Sequence, residues 1–259
     1  MEIQILHDKE VIYNYLKRDI ENQIFCIGDL DDFYWSKTTW FSLTVNNQIH
    51  SIALLYYGMD IPTFLLFENK SFKGGIDFLK RIKTFLPKKM YAHLSHGLLD
   101  FFDSEHIIEN YGSSYKMTLK KRIEKSFDEN IRVLRIEDIA AIQELLSIAY
   151  PLNWFDSNMI QTEKYFGYFN NNKLIGVAGV HVYSQKYKVA ALGNIATHPD
   201  FRGQGIALKL TKALCYNLQH EVEVISLNVR AVNEIAVKCY EKIGFEITGN
   251  YDELLLRND

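Results

Sequence analysis

Hydrophobic and polar residues alternate along the chain in a pattern that occurs twice. Residues 40–57 read WFSLTVNNQIHSIALLYY, and residues 165–183 read YFGYFNNNKLIGVAGVHVY. In both stretches an aromatic-rich apolar run is followed by asparagines and then by a longer apolar run. Asparagine tolerates the left-handed backbone of tight hairpin turns, so each stretch predicts a β-hairpin. A hairpin that recurs after about 125 residues indicates the duplication of a whole domain.

The segments around the two hairpins also correspond. Helical periodicity precedes each hairpin, over residues 9–30 in the first half and from Asp138, a candidate N-cap, to Ala149 in the second. Another apolar strand follows each hairpin, and then a helix, over residues 74–86 or 205–219. Each half then closes with a strand, a helical stretch and a strand. The pattern predicts an α+β fold class with hairpin-rich mixed sheets and helices on their faces.

A charged run, KKRIEKSFDEN, separates the two halves at residues 120–130 and is interpreted as the linker. It places the domain boundary near residue 125. We therefore predict an N-terminal domain over residues 1–125 and a C-terminal domain over residues 126–259.

Composition restricts the classes of function. The chain has 259 residues, of which 47% are hydrophobic, and a formal net charge of -3. Nucleic-acid binders and proteins that bind anionic membranes usually carry a basic excess, so neither partner is expected. The three cysteines form no CxxC pair, which argues against a zinc site or a disulfide framework. With no signal peptide and no apolar run of about 18 residues, we expect a cytoplasmic location.

The stretch HPDFRGQGIALKL, residues 198–210, joins a buried-type strand to a helix. Pro199 ends the strand, and Gly203 and Gly205 precede the helix. Unpaired N–H groups at a helix N-terminus bind anions, glycine lets a phosphate approach them, and Arg202 adds a cation. The spacing matches neither the P-loop nor the dinucleotide-binding fingerprint. From the residues alone, a phosphate cradle and a glycine-rich surface turn both remain open.

A second candidate motif, LNVRAVNEIAVKCYEKIGF, covers residues 227–245. Asn233 is a suitable N-cap for a helix that ends near Ile243, and Gly244 suits the left-handed position after it. Ala236 and Tyr240 share a helix face with Asn233. On periodicity alone, Tyr240 is either a packing residue or a functional one.

Together the two stretches resemble the GNAT superfamily of N-acetyltransferases. Arg202, Gly205 and Ala207 occupy the defining positions of its acetyl-CoA motif, Arg/Gln-x-x-Gly-x-Gly/Ala. The second motif follows at the family's spacing, matching at Asn233, Ala236, Tyr240, Gly244 and Phe245. The resemblance covers about residues 130–259. It implies two tandem GNAT-like domains, each with a mixed, mostly antiparallel sheet whose central parallel strands splay apart.

The resemblance also implies a mechanism. Acetyl-CoA, used as a co-substrate without a metal, would lie between strands 193–197 and 225–229. An amine would attack it directly in a ternary complex, the backbone near Ile195 would polarise the thioester carbonyl, and Tyr240 would act as general acid. The implied cofactor-binding residues are Ile195, Ala196, Thr197, Arg202, Gly203, Gln204, Gly205, Ile206, Ala207 and Asn233.

Other functional groups are not fixed by the sequence. His181, His198 and Glu163 are candidate general bases by residue type, and we expect His198 to form the turn. The segment 150–166 falls where the family's variable acceptor loops lie. Within it, Trp154, Phe155, Asp156 and Glu163 either line a pocket for a cationic amine or pack a helix onto the sheet. We interpret Cys215 and Cys239 as packing residues.

The first half lacks both motifs. It has KGG at residues 73–75 and, as an echo of the second motif, Tyr111 and Gly112. We expect a degenerate cofactor site there, with a capping, acceptor-binding or structural role, and the acidic and aromatic segment 25–35 remains unassigned.

Two functional hypotheses result. The first is an N-acetyltransferase acting on the primary amine of a small molecule or peptide, and the second is a non-catalytic acyl-CoA-binding or regulatory module. A homodimer is open in both.

Overall fold

The computed structural model describes residues 1–68, 74–126 and 128–258 of the chain. The described residues fall into two compact units. The N-terminal unit comprises residues 1–116, 230–232 and 247–259, and the C-terminal unit comprises residues 117–229 and 233–246.

Twelve strands and seven α-helices are found in the described part of the chain. The strands are β1 (Glu2–Leu6), β2 (Thr38–Val45), β3 (Gln48–Tyr56), β4 (Thr63–Leu66), β5 (Lys89–Leu94), β6 (Ile107–Leu119), β7 (Ile131–Val133), β8 (Phe166–Asn170), β9 (Lys173–Ser184), β10 (Val189–Thr197), β11 (Val224–Arg230) and β12 (Phe245–Arg257). The helices are α1 (Lys9–Leu16), α2 (Ile20–Gly28), α3 (Asp32–Trp35), α4 (Gly75–Ile82), α5 (Ile139–Ala149), α6 (Ile206–Leu218) and α7 (Glu234–Ile243).

The N-terminal unit is built on a mixed sheet with the strand order β1-β2-β3-β4-β5-β12-β6. Neighbouring pairs from β1 to β4 are antiparallel, whereas β4 and β5 are parallel and are connected by α4. The turn between β2 and β3 places Asn46 and Asn47 at φ angles of 50° and 61°. The predicted asparagine hairpin is therefore confirmed, because two successive left-handed residues are what such a turn requires.

The C-terminal unit repeats this connectivity. Its sheet has the order β11-β10-β9-β8-β7, with antiparallel pairs from β7 to β10 and a parallel β10–β11 pair connected by α6. Asn171 and Asn172 form its hairpin turn, with φ angles of 47° and 63°. The same order of five strands in both units, with a helix joining the parallel pair in each, supports the predicted duplication and the predicted mixed fold.

The last strand of the chain departs from the predicted division at residue 125. From residue 247 onward, β12 belongs to the N-terminal unit, where Asp252 to Arg257 pair antiparallel with Leu94 to Lys89. Leu254 and Leu256 lie fully buried in that unit's hydrophobic core. The hydrophobic pattern of β12 could not reveal this, because it specifies a buried strand but not the partner strand.

Three further expectations differ in detail. The helical stretch expected between the last two strands of the first half is present as two single 3₁₀ turns, Leu99–Phe101 and Ser104–His106, and Tyr111 and Gly112 lie within β6. Asp138 does not cap α5. Its carboxylate accepts hydrogen bonds from the Arg132 guanidinium and the Arg135 amide, and it closes a preceding 3₁₀ turn.

Parts of two predicted segments lie outside the described residues, namely Lys73 of KGG and Phe127 of the charged run. The described residues of that run belong to the C-terminal unit. Ile123 is buried, and its backbone exchanges two hydrogen bonds with the Gln219 side chain. Across the described residues, no helix has the length and apolar character needed to span a membrane.

A group of buried titratable side chains lies inside the N-terminal unit. The Lys116 ammonium donates to the Asn22 carbonyl oxygen and lies 2.9 Å from the centroid of the Phe67 ring. Burial lowers the pKa of Lys116 to about 7 and raises the pKa of Asp29 to about 8. Burial also raises the pKa of Cys26 to about 12. These shifts make the stability of the protein depend on pH.

Asp29→Asn tests this dependence. Folded Asp29 keeps its proton up to a pKa of about 8, whereas an unfolded aspartate loses it near 4, so the folded state binds more protons in between. The contribution of Asp29 to stability should therefore fall as the pH rises through this window. We expect the free energy of unfolding of the Asp29→Asn variant, relative to wild type, to increase steadily from pH 5 to pH 8 in urea denaturation.

Asp77→Asn is the matched control, because it alters an exposed carboxylate of the same unit. Its stability relative to wild type should stay constant over the same range. A pH-independent difference for Asp29→Asn would contradict the assignment of a protonated, buried Asp29.

Candidate active site

The two parallel strands of the C-terminal unit stop pairing with each other about halfway along their length. β10 and β11 pair from Val189·Val224 to Leu192·Leu227, and the pairing stops there although both strands continue. Beyond this point the backbone of β10 on the β11 side has no strand partner. Such an edge can accept an extended ligand as if it were an additional strand.

β10 contains an irregularity near the point where its pairing with β11 stops. On the β9 side the pairing passes from Gly193·Gly179 to Ala196·Val177, so β10 contains one extra residue, a β-bulge. Asn194, inside the bulge, has a left-handed φ of 52°. The bulge bends β10 just where its pairing with β11 ends, and this opens a wedge in the sheet.

Polar atoms without partners lie on both strands beyond the last pair. Thr197 Oγ1 on β10 and Asn228 Oδ1 on β11 are buried and accept or donate no hydrogen bond within the described part of the chain. Buried polar groups are normally hydrogen-bonded, so each of these two atoms is available to a polar ligand or water.

The predicted cradle lies at the end of β10. His198 is extended, Pro199–Phe201 form a 3₁₀ turn, and α6 begins at Ile206. Gly203 and Gly205 have φ angles of +78° and +76°, and no heavy atom lies within 4 Å of the place where a Cβ would be. The positive φ angles explain the need for glycine.

The backbone amides of the cradle are available to an anion. The first helical hydrogen bond of α6 runs from Lys209 N to Gly205 O, so the amides of residues 206–208 lack helical partners. Residues 202–205 are exposed. The exposed loop and the positive end of the α6 dipole together form a site suited to phosphate.

Arg202 differs from the expectation that its guanidinium would face phosphate oxygens. Its Nε donates to the Thr197 carbonyl oxygen at 3.3 Å, and its Nη2 donates to the Ala149 carbonyl oxygen at 3.1 Å. The side chain thereby fastens the end of β10 to the end of α5. In this arrangement Arg202 supports the loop, and the amides of the cradle remain open to an anion.

The second motif has the predicted local structure. Asn233 caps α7 by accepting a hydrogen bond from the Ala236 amide at 3.2 Å, and Gly244 ends the helix at a φ of +115°. Tyr240 is 9% exposed and packs edge-on against Phe245 at a centroid distance of 6.0 Å. α7 packs against α6.

Burial is the main reason that the pKa of Tyr240 lies above its usual range, and the neighbouring Cys239, Tyr150 and Cys215 raise it further. The phenol is therefore protonated at neutral pH, the form in which it can donate a proton. Burial also raises the pKa values of Cys215 and Cys239, which agrees with their interpretation as packing thiols.

The three candidate bases fall in different surroundings. His181 lies on β9 against the bulge: a Cβ on Gly193 would come within 1.7 Å of its ring. Burial lowers the pKa of His181 to about 4, so the imidazole is neutral at pH 7. His198 Nδ1 accepts from the Asp200 amide at 3.3 Å, which confirms its predicted turn-forming role. Glu163 is exposed at a left-handed turn residue, with a φ of 56°.

The candidate acceptor residues have structural contacts of their own. Phe155 packs edge-on against Tyr165 at 5.5 Å, and Asp156 Oδ1 accepts from the Asn158 amide at 2.8 Å, capping a 3₁₀ turn. Trp154 is half-buried. The packing alternative therefore accounts for Phe155 and Asp156.

Sequence reasoning missed Tyr165 and Asn194. Tyr165 is fully buried, and its hydroxyl is hydrogen-bonded to Asn194 at 2.9 Å. A signal was present, because asparagine is depleted in strands and yet stands inside the apolar run of β10.

The corresponding positions of the N-terminal unit differ at the helix. β4 and β5 pair over four residues, to Leu66·Leu94, as β10 and β11 do, but β4 ends there. Glu68 Oε1 accepts from the Gly75 amide at 2.8 Å, so one amide at the start of α4 already has a partner within the chain. Residues 69–73, between β4 and α4, lie outside the described residues.

Comparison with known proteins relates this site to a family. The profile of the Acetyltransferase (GNAT) family matches residues 131–245. The ribosomal protein bS18-alanine N-acetyltransferase of Escherichia coli (strain K12) is 32% identical over 122 residues, which are 44% of this chain and 79% of that protein.

Solved structures match over almost the whole chain. An acetyltransferase of the GNAT family from Colwellia psychrerythraea is 14% identical with a TM-score of 0.61, covering 99% of this chain and 100% of its own. A tandem GNAT protein from the clavulanic acid biosynthesis pathway is 12% identical with a TM-score of 0.58, covering 100% and 99%. At these identities the likeness shows the tandem fold. The sequence identity to the Escherichia coli enzyme shows the family as well as the fold. The chain belongs to the GNAT family of N-acetyltransferases.

Proposed function

We propose that the C-terminal unit transfers an acetyl group from acetyl-CoA to a primary amine by direct attack within a ternary complex. The observation that carries this proposal is the parting of β10 from β11 next to the open amide cradle. An extended arm that ends in a pyrophosphate, as in acetyl-CoA, suits these two adjoining features.

Each part of the co-substrate has candidate partners. The pantetheine arm would pair with the unpaired β10 backbone over Ile195, Ala196 and Thr197. The pyrophosphate would accept hydrogen bonds from the cradle amides between Arg202 and Ala207, which include Gly203, Gln204, Gly205 and Ile206. Asn233, exposed at the start of α7, would contact the arm through the part of its side chain that capping leaves free.

The chemistry has three requirements. The amine must be neutral when it attacks the thioester, because an ammonium has no lone pair. A backbone amide near Ile195 would stabilise the oxyanion that develops on the carbonyl oxygen. As the C–S bond breaks, the protonated Tyr240 would give its proton to the departing CoA thiolate. The proton that the nitrogen loses as the amide forms would pass to solvent, from which Tyr240 is protonated again.

The acceptor is proposed to be an amine of a small molecule or peptide. The Escherichia coli relative is named for an alanine of a ribosomal protein, which makes a peptide α-amine the first acceptor to test. An α-amine has a pKa near 8, whereas a lysine side chain titrates near 10.4, so more of the α-amine is neutral at pH 7. Acetylation of an α-amine would therefore depend less on a strong general base than acetylation of a lysine side chain.

Calorimetric titration of the full chain with acetyl-CoA tests the assignment of the site to one unit. We expect one site per chain, because the N-terminal half lacks both sequence motifs and the Glu68 carboxylate accepts from the Gly75 amide at the start of α4. Two sites per chain would contradict the proposal that the N-terminal unit is degenerate. The absence of binding at high micromolar ligand would contradict the enzymatic proposal itself.

Gly205→Asp tests the cradle. The substitution places a carboxylate at the N-terminus of α6, where it repels the pyrophosphate, and we expect the Kd for acetyl-CoA to rise at least a hundredfold. Gly205→Asn is the control, since asparagine has the same shape and tolerates the left-handed φ but carries no charge. Its Kd should rise tenfold or less. Equal increases of the Kd in the two variants would contradict the proposal that a negative charge at the cradle repels the pyrophosphate.

Tyr240→Phe separates the enzyme from a non-catalytic acyl-CoA-binding module. Loss of a general acid typically lowers the rate by about 10² to 10⁴, so we expect kcat to fall within that range. The Kd for acetyl-CoA should stay within about twofold, because the ring and its packing remain. Tyr216→Phe, on α6, serves as the control with unchanged kcat. An unchanged kcat in Tyr240→Phe would remove Tyr240 from the acid role.

A further inference from the structure

Asn194 has a combination of properties that is unusual for a residue inside a strand. It is 2% exposed, its φ is 52°, and it lies in the one-residue bulge of β10. Asparagine tolerates a left-handed backbone better than most residues, but a buried asparagine must still satisfy its amide. Asn194 Oδ1 has no partner among the described residues, so the amide is anchored through its Nδ2.

The partner is the hydroxyl of Tyr165. Asn194 Nδ2 donates to Tyr165 Oη at 2.9 Å, and Tyr165 Oη donates to the Val180 carbonyl oxygen at 2.9 Å. Tyr165 precedes β8, and its own carbonyl oxygen accepts from the Leu134 amide at 2.8 Å. The fully buried phenol therefore connects the bulge of β10 to the backbone of β9 and to a fixed point beside β8.

The surrounding residues make room for this arrangement. A Cβ on Gly179, which pairs with Gly193, would come within 2.1 Å of Tyr165 Cε1. Phe155 also packs edge-on against the Tyr165 ring. These two contacts and the hydrogen bonds of the hydroxyl fix the position of the ring.

The bulge has a regular alternative that the hydrogen bond opposes. If the extra residue slipped out of the bulge, Ile195, Ala196 and Thr197 would exchange faces, because side chains alternate along a strand. The β10 backbone that lies open beyond Leu192 would then change direction as well. Whatever holds Asn194 in its left-handed conformation also sets the geometry of the wedge.

We propose that Tyr165 and Asn194 are positioning residues that fix the β10 bulge and so present the backbone of residues 193–197 to acetyl-CoA. The inference rests on the proposed function for its ligand, but the state of the bulge can be measured without any ligand. Neither side chain is required to touch the reacting atoms.

Tyr165→Phe in the full chain is the primary test. The ring and its packing stay, and only the hydroxyl that links Asn194 to Val180 is lost. We expect amide hydrogen exchange at residues 193–197 to become at least tenfold faster in the ligand-free protein. The Kd and KM for acetyl-CoA should rise about tenfold, while kcat changes less than threefold, because saturating ligand restores the wedge.

Tyr183→Phe is the matched control. Tyr183 also lies in the C-terminal unit, and its substitution removes the hydrogen bond from its hydroxyl to Glu221, but Tyr183 pairs with Ala190, before the bulge. Exchange at residues 193–197 and the Kd for acetyl-CoA should match wild type. If Tyr183→Phe and Tyr165→Phe have equal effects, the proposal is overturned, because the loss would then reflect general destabilisation.

Asn194→Gly provides an independent variant. Glycine adopts the left-handed φ without strain, so the chain still folds through the bulge, but the side-chain hydrogen bond is absent. We expect the same tenfold changes, and no further change when Tyr165→Phe is added, because both substitutions remove one interaction. Additive effects of the two substitutions would contradict the shared role.

The outcomes separate the two proposals. If wild type fails to bind acetyl-CoA but Tyr165→Phe still accelerates exchange at residues 193–197, the proposed function fails and the role in the bulge stands. If wild type binds and Tyr165→Phe leaves both exchange and Kd unchanged, the positioning role fails and the proposed function stands.

Discussion

The geometry of the C-terminal unit depends on the fact that two parallel strands stop pairing before they end. β10 and β11 are bonded only as far as Leu192·Leu227, and one extra residue in β10 turns its backbone away at that point. A sheet normally satisfies each backbone group with a neighbouring strand. Where it does not, the groups must meet water or a ligand, and here they lie at the carboxyl end of parallel strands, beside the N-terminus of α6. That end of an α/β arrangement is where ligands usually bind.

The N-terminal unit shows how the chain itself can use a helix N-terminus. It has the same order of its first five strands, including a parallel pair joined by a helix. The Glu68 carboxylate accepts from the Gly75 amide at the start of that helix, α4. A helix N-terminus has a fixed number of unpaired amides, so a carboxylate from the chain itself competes directly with a phosphate.

Local chemistry in the sequence was sufficient to predict local structure. The two asparagine turns, the glycines around α6 and the cap of α7 by Asn233 follow from the backbone preferences of single residues, and the structure contains all of them. The tandem mixed fold followed from the repeated pattern. Interactions between distant residues were not accessible in this way. The sequence offered no sign that Tyr165 would meet Asn194, that the Arg202 guanidinium would be used by two carbonyl oxygens, or that β12 would pair with β5.

The position of β12 has a consequence for the order in which the chain can fold. The sheet of the N-terminal unit is completed between β5 and β6 by residues 247–257, which are translated after the whole of the C-terminal unit. During synthesis the N-terminal unit therefore cannot complete its hydrophobic core until β12, which supplies Leu254 and Leu256, has left the ribosome. Domains usually fold as units from the N-terminus onward as they emerge. In this chain the unit that carries the candidate site can mature first, and the unit that begins the sequence is finished last.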